Sequence, residues 1–242
     1  MRGLRGLARL VGLRREVGRL RREAELKDGF IALASHELRA PAAVVLGFSE
    51  TLARRGRELR RDDLAELHAV LHEHSVRLNR VIDQLLDISR LDASAVPTEP
   101  ECLPVRARLE DLVESVAGER ADEVELNVPD DLDVVADETA FERIVSNLVT
   151  NAIRYGRTHV EIRADSDDRH FRLTVEDDGD GVADELVPFL FQRFARGEHA
   201  SGAGLGLSIA QSYAQANGGR ILYEPSREGG ARFQLILPSR AA

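Results

Sequence analysis

The sequence predicts an α-helical hairpin followed by an α+β two-layer sandwich. Three observations carry that expectation. Up to Leu91 the apolar residues recur every seven positions. Beyond residue 104, short alternating stretches mix with helical ones. Between them lies DASAVPTEPECLP, whose prolines and small residues mark a linker. The expected organisation is an N-terminal signalling helix or coiled coil over 1–27, a hairpin over 28–92, a linker over 93–104 and a second domain over 105–242.

In the first helix, Leu10, Leu13, Val17, Leu20, Ala24, Ile31, Ala34, Leu38, Val45, Phe48 and Leu52 hold a and d positions of one heptad register. Lys27, Pro41 and Arg55 are the exceptions. The polar segment RRGRELRRDD, 54–63, reads as a turn. Leu64, Leu67, Leu71, Leu78, Val81, Leu85 and Ile88 then form a second seam. Two helices alone bury little, so two copies are expected to associate as a four-helix bundle, a homodimer.

In the second domain VELNV (124–128) and DVVAD (133–137) read as strands. Residues 138–154 have helical spacing through Phe141, Ile144, Val145, Leu148, Val149 and Ala152. HVEIRA (159–164) and HFRLTVED (170–177) alternate as strands, 205–216 reads as a helix, and RILYE (220–224) and ARFQLIL (231–237) are two further strands.

Composition excludes some functions. The formal net charge is −9 at pH 7, which offers nucleic acid no broad basic face. Cys102 is the single cysteine, so no disulfide forms within the chain, which suits a reducing cytoplasm. No apolar run approaches the about 20 residues of a membrane-spanning helix. The Arg-rich start MRGLRGLARLVGLRREVGRLRRE reads as a solvated basic helix or as an amphipathic helix resting on anionic lipid. A cytoplasmic protein is expected, with that helix the point of contact for a membrane surface or an upstream sensor partner.

Four stretches carry candidate chemistry. In FIALASHELRAP, His36 holds an f position and faces solvent, beside Glu37. Pro41 cannot donate to the Glu37 carbonyl, so the helix should bend or loosen just past His36. Such a histidine suits nucleophilic attack, although a surface histidine without a role reads the same way. In NLVTNAIRYG, Asn147 and Asn151 share one helix flank. A neutral amide oxygen can hold Mg²⁺ while phosphates supply the negative charge; surface or capping asparagines would look alike. In VEDDGDGV, Asp177 has the inward parity of Phe171, Leu173 and Val175, and a buried carboxylate needs a donor such as an adenine amino group. An Asp/Gly turn is the alternative. In SGAGLGLSIAQ, Gly202, Gly204 and Gly206 lead into a helix, which suits phosphate, or else forms a mobile loop.

Taken in order, these stretches resemble the core of a bacterial sensor histidine kinase of a two-component system. SHELRAP resembles the phosphoacceptor box, NLVTNAIRYG the N box, VEDDGDGV the first glycine box, FLFQRF (189–194) the F box and GAGLGLSIAQSYAQANGG the second glycine box. The resemblance spans roughly residues 25–240. It implies that the second domain has the Bergerat-type ATP-binding fold shared with gyrases and the large heat-shock chaperones. His36 would take the γ-phosphoryl group of ATP and pass it to an aspartate on the receiver domain of a response regulator. Glu37 would orient the ring or accept its proton. Asn151 would bind Mg²⁺, with Asn147 assisting. Arg154 and Tyr155 would line the nucleotide, as would Phe191 and Phe194 of the F box. Asp177 would recognise adenine between Gly179 and Gly181. Gly202, Gly204, Leu205 and Gly206 would shape the phosphate loop. The ATPase domain would have to swing for its γ-phosphate to meet His36, with the linker and Pro41 as the expected places of motion.

Two departures stand out. The family usually carries Thr or Asn four residues after the phosphoacceptor, and here that residue is Ala40. Weak phosphatase activity toward a phosphorylated regulator is expected. Only GEHAS separates Arg196 from Gly202, a short ATP lid for the family, which implies weak ATP affinity or a lid completed another way. Two alternatives remain: a catalytically inactive scaffold, and an anti-sigma-type Ser/Thr kinase on the same fold. His68 and His72 are four apart and could bind metal, and His74 sits at a d position, where it could set register or sense pH. Finally, the unbroken register from Leu10 to Leu52 implies input by rotation or shift of that helix. Inserting one residue near Lys27 should then change basal activity, and unchanged activity would count against the idea.

Overall fold

The computed structural model describes residues 34–56, 58–92, 99–197, 203–227 and 229–239. The N-terminal helix over 1–27, the seam from Leu10 to Ile31 and the expected linker up to residue 98 lie outside the described residues. Packing divides the chain into two units, Met1–Leu85 and Leu86–Ala242. The division falls inside the second helix rather than at the expected boundary after residue 92.

In the first unit, helix α1 occupies 34–55 and helix α2 begins at Arg61 and runs to Asp92. The Gly56 N–H closes α1 onto the Leu52 carbonyl at 2.9 Å. Asp63, in the first turn of α2, accepts the Arg60 backbone N–H at 3.2 Å and so satisfies a donor that the helix start leaves over. The expected seam is inward: Leu67 and Val81 are buried, and Leu38, Val45, Phe48, Leu52, Leu64, Leu71, Leu78 and Leu85 are half-buried. Leu46, Val76 and Ile82, off the seam, are exposed. Helix α1 runs through Pro41 without a break in its helical residues, so the loosening expected there is no more than the loss of one donor.

The second unit holds strands β1 (Glu101–Pro104), β2 (Val124–Asn127), β3 (Asp133–Ala136), β4 (Val160–Ser166), β5 (His170–Asp177), β6 (Arg220–Pro225) and β7 (Ala231–Pro238). It also holds helices α3 (Val105–Ala117), α4 (Glu138–Tyr155) and α5 (Gly206–Ala216). The main sheet has the order β2-β4-β5-β7-β6. Its β2–β4 pair is parallel and the rest are antiparallel. Each long strand alternates. Val160, Ile162, Phe171, Leu173, Val175, Phe233, Leu235 and Leu237 are buried, and Arg163, Arg172, Glu176 and Arg232 lie on the opposite face. Helix α4 covers the apolar face with Phe141, Ile144, Val145, Leu148 and Val149, and Phe141 meets Phe171 edge-on at 6.3 Å between ring centroids.

One expectation is corrected. The tract read as linker to residue 104 contains β1, which pairs antiparallel with β3, Glu101 opposite Ala136. Four residues ending in proline give too short an alternation to stand out, and only Leu103 among them is buried. Helix α3 is likewise not among the expected elements. Its buried residues Val105, Leu109 and Val113 make a stripe one residue wide.

Candidate functional site

In the hairpin, His36 is exposed, as its f position requires, and Ala40 is exposed one turn on. Glu37 is different. It is only 7% exposed, and its carboxylate lies 3.6 Å from the Arg77 guanidinium of α2. Arg77 therefore competes for the group that was expected to orient the histidine. His68 and His72 are exposed. His74 is half-buried, with its Nδ1 buried and unpartnered. Among the described residues no group of three or more His, Cys, Asp or Glu side chains could hold a metal ion.

In the second unit the candidate residues converge on α4. Its start is fixed by Asp137, whose side chain accepts the Ala140 N–H at 2.8 Å. With the apolar stripe against the sheet, Asn147 and Asn151 come to lie along one half-buried flank. Asn147 donates its amide to the Arg143 carbonyl at 2.7 Å and turns its oxygen toward Gly206 at the start of α5. A methyl group at 206 would lie 2.8 Å from that oxygen, so a side chain there would push the Asn147 amide out of its present orientation. Arg154 and Tyr155, in the last turn of α4, are exposed.

Asp177 ends β5 and is 5% exposed. Its Oδ1 accepts the N–H of Gly179 at 3.0 Å and that of Ala231 at 3.2 Å. Among the described residues no cationic side chain pairs with it. Burial pushes its carboxyl above the usual range, the two N–H groups work the other way, and Asp178 and Glu176 add to the rise. Gly179 presses on the Tyr155 carbonyl so closely that no side chain fits, which joins the first glycine stretch to the end of α4. Gly181 has a φ of 72° and faces the carbonyls of Gly229 and Gly230.

A 3-10 turn, Val187–Phe189, leads into the FLFQRF segment, in which Phe191 and Phe194 are half-buried. Phe194 adopts a φ of 71°, costly for a bulky residue, and its N–H bonds the Gly204 carbonyl at 2.9 Å. Gly202 and most of the short lid lie outside the described residues. Leu205 is buried and is the N-cap of α5, yet it supplies no side-chain acceptor. The first N–H groups of α5 therefore have no side-chain cap, and such a helix start attracts anions.

Four contributors are absent from the sequence expectations. The turn between β6 and β7 brings the Ala231 N–H to Asp177, and the Tyr223 hydroxyl accepts the Val182 N–H at 3.3 Å. Asp178 accepts from Arg157 N–H at 2.7 Å and from Thr158 N–H and hydroxyl, at 3.1 and 2.9 Å, fixing the chain after α4. Burial acts to raise its carboxyl, but these donors hold it well below the ordinary range. Within the second unit, Asp87 is buried at 2% exposure, accepts the Tyr213 hydroxyl of α5 at 2.7 Å and faces the Arg143 guanidinium of α4 at 3.4 Å. The paired glycines 229–230 could have flagged the first contact; nothing local marks the last.

Together these groups can receive a base bearing an amino group at Asp177, an anion at the α5 start and a cation at the Asn flank. The model of the His Kinase A (phospho-acceptor) domain matches residues 26–94. The model of histidine kinase-, DNA gyrase B-, and HSP90-like ATPases matches 136–241. Sensor protein SrrB of Staphylococcus aureus strain N315 is 31% identical over 225 residues, 88% of this chain and 38% of that protein. The chain thus spans about 38% of the length of the curated relatives it matches. Full-length ShkA in complex with AMPPNP superposes with a TM-score of 0.61 at 26% identity, over 88% of this chain and 47% of that one. Acinetobacter baumannii histidine kinase AdeS shares the fold, with a TM-score of 0.65 at 23% identity over 85% of this chain and 98% of that one.

Proposed function

The chain belongs to the sensor histidine kinases of two-component systems, and from that premise we propose that it transfers the γ-phosphoryl group of ATP to His36 and thence to an aspartate of a response regulator. The observation that carries the nucleotide half is Asp177. A buried carboxylate without a cation is costly to keep, and a ligand amine repays it. With Oδ1 held by two backbone donors, Oδ2 is left to accept from the adenine amino group.

The phosphates then reach the N–H groups at the start of α5, shaped by Gly204, Leu205 and Gly206, while Tyr155 covers the base. Asn151 would hold Mg²⁺, supported by Asn147; the donor set fits, because neutral amide oxygens suit a cation whose charge is already balanced by phosphate. Bound there, Mg²⁺ would neutralise phosphate charge. A neutral His36 ring nitrogen attacks the γ-phosphorus, the bond to the β-phosphate oxygen breaks, and ADP leaves as the ring gives up its proton. Glu37 takes that proton or steers the ring only if Arg77 releases it. Homodimerisation through the hairpin and docking of a receiver domain near His36 belong to the same proposal.

The test is incubation of the chain, and of His36→Gln, with γ-labelled ATP and Mg²⁺. Acid-labile label lost in the variant is expected. Bound nucleotide with no label on either protein would overturn the kinase and favour an inactive scaffold; acid-stable label would favour the Ser/Thr kinase.

A further inference from the structure

Next to Asp177, on the opposite face of the sheet, stands Glu176, a residue to which the proposed chemistry assigns no part. Its side chain is 13% exposed. Oε1 accepts the Ser226 hydroxyl at 2.6 Å and Arg232 Nη2 at 3.0 Å. Oε2 accepts Arg232 Nε at 2.9 Å and Arg163 Nη2 at 2.8 Å. Burial acts to raise the carboxyl, yet Arg232 and Ser226 hold it below its ordinary value, so it stays ionised.

Ser226 and Arg232 bracket the turn that joins β6 to β7. The turn is closed by the Ser226 N–H to the Gly230 carbonyl at 2.9 Å. Glu176 thus clamps both ends of this turn to β5. Through the sheet, the same turn delivers the Ala231 N–H to Asp177 Oδ1, and Gly230 lies directly over the Asp177 carbonyl. One residue's carboxylate fixes the turn, and the turn fixes the next residue's carboxylate.

We propose that Glu176 is a positioning residue for base recognition, acting through the β6–β7 turn to hold Asp177 in the one orientation that accepts an exocyclic amine. This rests on the nucleotide reading of the site. It assigns specificity to a side chain that never touches the base. Without the clamp the Ala231 donor withdraws, Asp177 is held by Gly179 alone, and its free oxygen is no longer aimed.

The experiment measures affinities of the full chain for ADP and for inosine diphosphate, which presents a carbonyl where adenine presents an amine. The unsubstituted chain should prefer ADP. In Glu176→Ala the ADP-to-IDP preference should fall about tenfold, and in Glu176→Gln, which keeps one acceptor, about threefold. Ser226→Ala should fall between the unsubstituted chain and Glu176→Ala, and it serves if the latter does not fold. Asp165→Asn, which loosens the Arg172 pair on the same sheet face, should lower the melting temperature and leave the preference alone. An unchanged preference in folded Glu176 and Ser226 variants overturns the proposal while the nucleotide reading stands. No ADP binding by the unsubstituted chain overturns both.

Discussion

Asp177 shows how the residue proposed to recognise the base can also be one that costs stability. Its carboxyl titrates above the ordinary range because it is buried. Such a group favours folding while protonated and loses that contribution as pH rises through its raised value. Asp177→Asn should therefore melt higher than the unsubstituted chain at pH 8, with the gain shrinking toward pH 4, while ADP affinity falls about thirtyfold or more. Melting curves at both pH values and a binding titration check this; a lower melting temperature at pH 8 would contradict it. Ala40 carries the opposite lesson, since its small exposed side chain cannot hold a water. Ala40→Thr should raise the rate at which a phosphorylated regulator is dephosphorylated in the presence of this chain, and an unchanged rate would sink that idea. Asp177 and His36 were readable because parity along a strand and register along a helix fix where a side chain points. Glu37 was read only halfway: its neighbour in sequence is His36, but its neighbour in space is Arg77, which lies on another helix.

At the scale of elements, the helices α4 and α5 were readable, and their fastening was not. Apolar spacing gives α4 because its stripe is wide, and it misses α3 because that stripe is narrow. It cannot show that Asp87 joins the two helices, since Tyr213 is 126 positions away in the chain. Burial, and next the bond to Asp87, push the Tyr213 hydroxyl up from 10.0 to about 12. Tyr213→Phe leaves a buried carboxylate one donor short and should cost about 1–2 kcal/mol in urea denaturation at pH 7. The hydroxyl's contribution is lost as pH rises through its shifted value, so the deficit should narrow above pH 10. A deficit equal at all pH values would assign the loss to packing alone.

For the whole molecule, the sequence marked a helical half and a mixed half because the apolar period changes from seven to two. It placed the change too late, at residue 104, since the first strand of the mixed half is only four residues long. The order of strands was beyond its reach, because nothing in β7 says that it lies between β5 and β6. That placement has a temporal consequence. Helices α1 and α2 can pair from local contacts soon after they are made. The main sheet cannot close, because β7 comes last of its strands in the chain and sits inside the sheet, opposite a β5 made about 60 residues earlier. At about 5–20 residues per second, β5 waits several seconds on the ribosome with one edge unpaired, and Asp177 waits for its second donor. A chain stopped after Ser226 should therefore lose cooperative unfolding of the second unit rather than a frayed margin, and should collect in the insoluble fraction. The proposed nucleotide pocket is complete only once β7 has been made, because Asp177 takes its second donor from Ala231, so a chain stalled before β7 should fail to bind ADP in a titration.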